Sequence, residues 1–254
     1  MFEIDKMLEL TKTIATKAGL RILENLDQNA KIYTFNHKHP KEIKALADTV
    51  LEKDILKALI PTGLSILSEE SGYISDQRES KYWFIVDPLD GTFNFVKGLG
   101  PCAISIALWQ DRQPIFGVIY SLMDRQLFWG GIGIGSFCEG QKILVSDTLS
   151  KAEASICTGF PARFECENDL VTQAFCHKIG KYAKIRMLGS AAMSLVSVAK
   201  GAADVYSEQN IMLWDVAAGL AIVEGAGGSV NFDSGTIEYS LDVYASNKNL
   251  YELD

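Results

Sequence analysis

Two aspartates three residues apart, Asp87 and Asp90, close the apolar run Trp83-Phe84-Ile85-Val86 and lead into Gly91-Thr92. A buried strand that delivers two carboxylates to the start of a helix is suited to holding a divalent metal beside a phosphate. Pro88 fixes one φ angle and Gly91 permits close backbone approach, so both carboxylates and the Leu89 carbonyl can face one ion. Hard oxygen donors of this kind select Mg²⁺, Mn²⁺ or Ca²⁺ over zinc. A plainer reading fits the same residues, a turn in which one aspartate caps the following helix. Two further acidic sites end or begin apolar segments. Glu69-Glu70-Ser71 follows Leu64–Leu67, and Trp214-Asp215 opens an Ala/Gly-rich stretch. Each has its own bland counterpart, a solvated strand end for Glu69-Glu70 and an N-terminal helix charge offsetting the macrodipole for Asp215.

The elements that must position these groups follow from periodicity. Ile4, Leu8, Ala15, Ala18, Ile22 and Leu26 recur at helical spacing, predicting an amphipathic helix over 4–27. A strand is expected at 31–35, a polar, mobile loop at 36–40, and a second helix from about 41 to 60. Strand-like runs then fill 82–86, 103–109, 114–120, 126–129 and 142–145, with connections short enough for antiparallel hairpins. Beyond residue 150 helices alternate with strands: helices near 167–180, 190–200 and 214–225, and strands near 184–188, 203–207, 229–232 and 242–246. The first half, 1–150, thus reads as α+β and carries most of the candidate ligands. The second half, 151–254, reads as α/β and carries Asp215. No linker separates them, so any division must share one core.

Composition bounds the function. The 254 residues are 48% hydrophobic and carry a net charge of −8, with Lys and Arg scattered singly. Nothing resembles the basic stripe of a nucleic-acid binder, and no run approaches the ~20 apolar residues of a membrane span. The start of the chain lacks the basic and apolar regions of an export signal. Five cysteines without a Cys-x-x-Cys pair argue against a disulfide framework or thiolate zinc site and fit a reducing cytoplasm. The glycine-rich run 130–135 departs from Gly-x-Gly-x-x-Gly at Ser136 and reads as a flexible connection between strands. His37 and His39 lack a third metal ligand nearby, and His177 lacks a Gly-x-Ser-x-Gly partner motif.

Taken together, Glu69-Glu70-Ser71, Asp87-Pro88-Leu89-Asp90-Gly91-Thr92 with Asn94-Phe95, and Trp214-Asp215-Val216-Ala217-Ala218-Gly219 resemble the signatures of the inositol monophosphatase family of Mg²⁺-dependent, lithium-sensitive phosphatases. The resemblance implies a five-layered αβαβα sandwich. It implies that Glu69, Asp87 and the Leu89 carbonyl hold a first metal and that Asp87, Asp90 and Asp215 hold a second. A third ion and Mn²⁺ substitution are compatible with it. Thr92 and Glu69 would orient the attacking water, and backbone N–H groups of Gly91 and Thr92 would meet phosphate oxygens. Upstream, the family's Asp-x-x-Thr-x-x-Asp segment aligns with Glu42–Asp48, where Ala45 replaces the threonine. Asp48 would assist the water or a third ion, or else be an exposed helix acid. Asn94-Phe95, the backbone near Ala191 and the acid Glu208 lean toward an inositol phosphate, although Glu208 equally fits a plain strand-end acid. Relatives acting on adenosine 3',5'-bisphosphate, fructose 1,6-bisphosphate or histidinol phosphate, and a catalytically silent regulatory binder, are the competing readings. The resemblance also implies a homodimer.

Overall fold

A computed structural model describes residues 3–26, 33–35, 43–75, 80–160 and 169–251 of the chain. Helix α1 spans Ile4–Leu26, and the predicted spacing holds: Leu8, Thr11, Ala15, Ala18 and Ile22 form its buried face. Strand β1, Tyr33–Phe35, pairs antiparallel with β2, Ile43–Ala45. The second helix, α2, therefore covers Leu46–Leu59 and starts later than its sequence suggests, because 43–45 is drawn out to pair with β1. The expected loop 36–40, with His37 and His39, lies outside the described residues.

A large sheet follows. Its strands are β3 (Ser65–Ser68), β4 (Gly72–Ile74), β5 (Tyr82–Asp90), β6 (Ala103–Gln110), β7 (Gln113–Ser121), β8 (Gln126–Gly131), β9 (Gly135–Cys138) and β10 (Gln141–Lys142), with the short helix α3 (Thr92–Lys97) after β5. The spatial order is β10-β9-β8-β7-β6-β5-β3-β4, antiparallel except for the parallel pair β3–β5. The run expected at 142–145 leaves the sheet after Lys142, and Val145 instead donates its N–H to Ala226 of the second half.

The second half contributes β11 (Ser155–Cys157), α4 (Asp169–Ile179), β12 (Lys184–Arg186), α5 (Ala191–Ala199), β13 (Val205–Met212), α6 (Leu213–Gly225), β14 (Ser229–Ser234) and β15 (Ser240–Ser246). Its sheet runs β12-β11-β13-β15-β14, with β11 parallel to both neighbours and the rest antiparallel. It is a mixed sheet, because β13, β15 and β14 return on themselves.

Alternation along β5 and β6 builds the layers. Phe84 and Val86, with Ile104, Ile106 and Leu108, pack against α1 and α2. Their neighbours Trp83, Ile85, Ala103, Ala107 and Trp109 face α5 and α6 instead. The other side of these two helices meets Tyr206, Leu241, Val243 and Ala245 of the smaller sheet. Helix α4 borders β13, its Phe175 and Lys178 lining a cavity with Ser207, Glu208 and Gln209, and the layers together form an αβαβα sandwich. The central cluster draws on both halves, with Leu67 to Phe128 on one side and Ala191 to Ala245 on the other.

Close approach of neighbouring elements explains several glycines. A Cβ on Gly117 of β7 would sit 2.0 Å from the Ala218 carbonyl oxygen. Gly130 and Gly131 belong to strand β8, where a Cβ would strike Ser136 and the Ile115 carbonyl. The glycine-rich run is thus the expected connection between strands: its ends lie in β8 and β9, and residues 132–134 form the turn between them.

Candidate active site

The two motif aspartates share a face because the strand is interrupted. Residues three apart on a regular strand point to opposite faces. Asp87 lies opposite Ser105 and Asp90 opposite Ala103, so one extra residue is accommodated at Pro88-Leu89, where proline offers no ladder N–H. Ser105 and Ala103 are two apart on β6, which brings both aspartates to the side of the sheet facing α6. There Asp215 occupies the first turn of α6. One carboxylate oxygen from each of Asp87, Asp90 and Asp215 lies within 4.8 Å of the others.

Glu69 joins them through the parallel pairing of β3 with β5. Ser68 lies opposite Val86, and the Glu69 N–H donates to the Val86 carbonyl at 3.2 Å, bringing Glu69 beside Asp87. The residue opens to solvent, yet its carboxyl is turned into the cluster within hydrogen-bonding reach of Asp87. Desolvation there pushes it up to about 7, and the charge of Asp48 adds to the effect. Asp87 and Asp215 are held well above the usual carboxylate range, first by burial and then by the charge of Glu69. Asp90 is raised to about 6 by burial, against the pull of the Ser190 hydroxyl and the N–H groups at the start of α5.

Asp48 is 3% exposed on the first turn of α2, which removes the reading of it as a surface acid. The Thr92 hydroxyl lies 3.0 Å from both Asp48 Oδ1 and the Leu89 carbonyl oxygen, and its single proton serves one acceptor at a time. Gly91 caps α3 at φ 81°, and a Cβ there would come within 2.9 Å of the Pro101 carbonyl oxygen. No side chain caps α3, so the motif is not a simple Asp-capped turn. Asp90 is instead tied to α5: it accepts from the Ser190 hydroxyl, from Ala191 N–H at 3.2 Å and from Ala192 N–H at 3.2 Å. Within the backbone near Ala191 expected to meet substrate, the Ala191 N–H is therefore engaged by Asp90.

Asp90 and Asp215 open onto a cavity of about 210 Å³ that Thr158, Gly159, Gly189, Ser190, Ala191, Ser194, Glu208 and Ile211 also bound. Glu208 stands on β13, half-buried, and accepts from the Tyr206 hydroxyl at 3.1 Å. Burial pushes it up to about 7 despite that bond. A Cβ on Gly159 would meet the Glu208 carboxylate at 2.6 Å, so a glycine keeps this acid in place.

Three supporting residues escaped the sequence reading of roles. Buried Asn94 donates its side-chain amide to the Leu188 and Pro101 carbonyls at 2.7 and 2.9 Å, tying α3 to the segment before α5. Ser190 caps α5 while donating to Asp90. Glu52 bonds the serines flanking Glu69-Glu70. Only Glu52 left a local signal, four residues after Asp48 and so on the same helical face.

A cluster of facing carboxylates with few hydrogen-bond donors suits hard divalent cations, which would relieve the repulsion that raises these acids. The donor set fits Mg²⁺ or Mn²⁺.

A sequence profile of the inositol monophosphatase family matches residues 3–252. The fructose-1,6-bisphosphatase/inositol-1-monophosphatase of Aquifex aeolicus is 31% identical, covering 99% of this chain and 95% of its own length. The Nus factor SuhB of Pseudomonas aeruginosa is 33% identical over 92% of this chain and 88% of that protein. Among solved structures, an inositol monophosphatase from Anabaena superposes with a TM-score of 0.81 at 31% identity, covering 97% of this chain and 92% of that one. Because the match runs from α1 past β15 and takes in every acid of the cleft, this chain belongs to the inositol monophosphatase family.

Proposed function

We propose that the chain is a cation-dependent phosphomonoesterase acting on a small sugar or polyol phosphate, inositol monophosphate foremost. The observation that carries this reading is the cluster of Asp87, Asp90 and Asp215, with Glu69 turned toward Asp87, at a cavity that Asp90 and Asp215 line together with Glu208. In this reading the four acids and the Leu89 carbonyl hold two or three Mg²⁺ ions, with Mn²⁺ a substitute. Bound there, the cations supply the positive charge that admits a phosphate among acids and Lewis-acid stabilisation of the departing oxygen.

The protein's own groups do the positioning. Thr92, held between Asp48 and the Leu89 carbonyl, and Glu69 orient a water toward phosphorus. The water oxygen forms the new P–O bond as the ester P–O bond breaks; Glu69 accepts a water proton, which is passed on to the departing alkoxide through solvent, giving inorganic phosphate and the free alcohol. The N–H groups of Gly91 and Thr92 donate to phosphate oxygens. Glu208 accepts from a polyol hydroxyl, a demand that a half-buried acid meets and a stacking surface would not. A cytoplasmic homodimer inhibited by lithium completes the reading. Among the described residues no helix is long and apolar enough to cross a membrane.

The names of two relatives frame the alternatives. The Aquifex protein's name joins two phosphatase activities, whereas the name Nus factor SuhB raises a regulatory protein that binds without turnover. Phosphate release with Mg²⁺, and with EDTA as control, from inositol 1-phosphate, fructose 1,6-bisphosphate, adenosine 3',5'-bisphosphate and histidinol phosphate separates them. Mg²⁺-dependent release, fastest from inositol phosphate, is expected. Preference for the bisphosphonucleotide would overturn the role of Glu208, and no release from any substrate would favour the regulatory reading.

A further inference from the structure

Glu52 is a buried acid that the chemistry above does not use. It is 7% exposed and lies one turn beyond Asp48 on the inward face of α2, among Leu51, Ile55 and Leu59. Both of its carboxylate oxygens are engaged by one short segment. The Ser68 hydroxyl donates to Oε1 at 2.5 Å, the Ser71 N–H to Oε1 at 2.9 Å and the Ser71 hydroxyl to Oε2 at 2.9 Å. Between these contacts stand Glu69 and Glu70. On the opposite side, the Glu69 N–H is bonded to the Val86 carbonyl at 3.2 Å. The backbone that presents Glu69 is therefore clamped by the sheet on one side and by α2 on the other.

The choice of an acid here has a physical reason. An aliphatic residue would fill this apolar face at no desolvation cost, whereas a buried carboxylate needs its oxygens satisfied. Ser68 and Ser71 satisfy them in a way that fixes the ends of a two-residue turn, which a side chain lacking two acceptors cannot do. Asp48, at the other end of the same face, takes the Thr92 hydroxyl. One helix thus braces the segment bearing Glu69 and the start of α3 together.

We infer that Glu52 is a positioning residue: through Ser68 and Ser71 it holds the Glu69 carboxyl in the acidic cleft while touching neither cation nor substrate. The inference rests on the reading of Glu69 as a cation ligand. It is tested on the full chain by Mn²⁺ binding, followed from the electron paramagnetic resonance of free Mn²⁺, alongside amide exchange at Ser71 and phosphate release. Glu52→Ala is expected to weaken Mn²⁺ binding roughly 10- to 100-fold, as removal of a ligand's hydrogen-bonded support does, and to speed exchange at Ser71. Glu52→Gln keeps an acceptor for Ser68 and the Ser71 N–H and can donate to the Ser71 hydroxyl, so it restores most of the affinity. Ser71→Ala, at an exposed position, removes one of the three bonds and is expected to weaken Mn²⁺ binding by a smaller factor even if Glu52→Ala does not fold. Wild-type Mn²⁺ affinity in the folded variants would overturn the positioning role alone. Failure of the unmutated chain to bind Mn²⁺ would overturn the cation reading of the cleft and this inference with it.

Discussion

Asp87 and Asp204 are both buried, at 1% and 8% exposure, and they titrate in opposite directions. Asp204, just before β13, accepts from the Ser146 hydroxyl at 2.6 Å, the Ser155 N–H at 2.7 Å and the Ser155 hydroxyl at 3.0 Å. Burial pushes its carboxyl up, but these donors and Thr148 outweigh it and hold the group below its usual range. Asp87 accepts one backbone N–H, from Leu89 at 2.9 Å, and otherwise faces Glu69, Asp90 and Asp215. Burial alone therefore does not mark a functional acid. A carboxylate whose acceptor sites are filled by donors completes a structural junction, while one turned toward other carboxylates is completed by a cation. Asp90 stands between the two, wired to α5 yet still raised.

Substitution at the two sites should break along the same line. The largest effect is expected for Asp215→Asn, which removes one of the proposed cation ligands and one repelling charge. Phosphate release should fall by roughly 10²- to 10³-fold, the scale seen when one electrostatic group is lost from an active site. In the same variant the chelator-treated chain should melt higher than wild type at pH 8, which differential scanning fluorimetry would read. Asp204→Ala is expected to do the reverse. Urea unfolding should show a loss of about 3 kcal/mol from donors left unpaired, with the specific activity of the folded protein unchanged. A large loss of activity at matched folding would erase the distinction between the two acids.

A subtler effect appears in the pH dependence of stability. Glu69 and Glu208 titrate at about 7 and Asp90 at about 6 in the folded chain, against about 4 when unfolded. Between these values the folded chain binds more protons than the unfolded chain, so its stability falls as pH rises. With EDTA the melting temperature should decline from about pH 5 to about pH 8, the window these carboxyls span. Saturating Mg²⁺ should flatten that slope. Asp204 acts oppositely, because its contribution is present above the ordinary carboxylate range and is lost as pH falls through its lower folded value. A flat profile with EDTA would show that the cleft acids are not in conflict.

Much of this was legible from local pattern. The period of α1, the start of α6 at Trp214-Asp215, the hairpins from 103 to 131 and the three acidic motifs follow from spacing along the chain. The late start of α2 was not legible, because it depends on pairing between residues 43–45 and 33–35. Nor was the burial of Asp48 or its hydrogen bond from Thr92, 44 residues away. The role of Glu52 was hidden likewise, since its partners lie on another strand.

The acids, glycines and apolar stripes of this protein, and with them its family, are read from the chain itself, since side-chain chemistry and short-range periodicity are properties of the chain alone. The tertiary structure decided which acids face one another and which are neutralised by donors. The bulge at Pro88-Leu89 turns Asp87 and Asp90 to one face, α6 brings Asp215 to meet them, and α5 engages Asp90 through the Ala191 amide. Those outcomes depend on strand register and helix packing across long separations, where electrostatics acts through distance in space and not through distance in sequence.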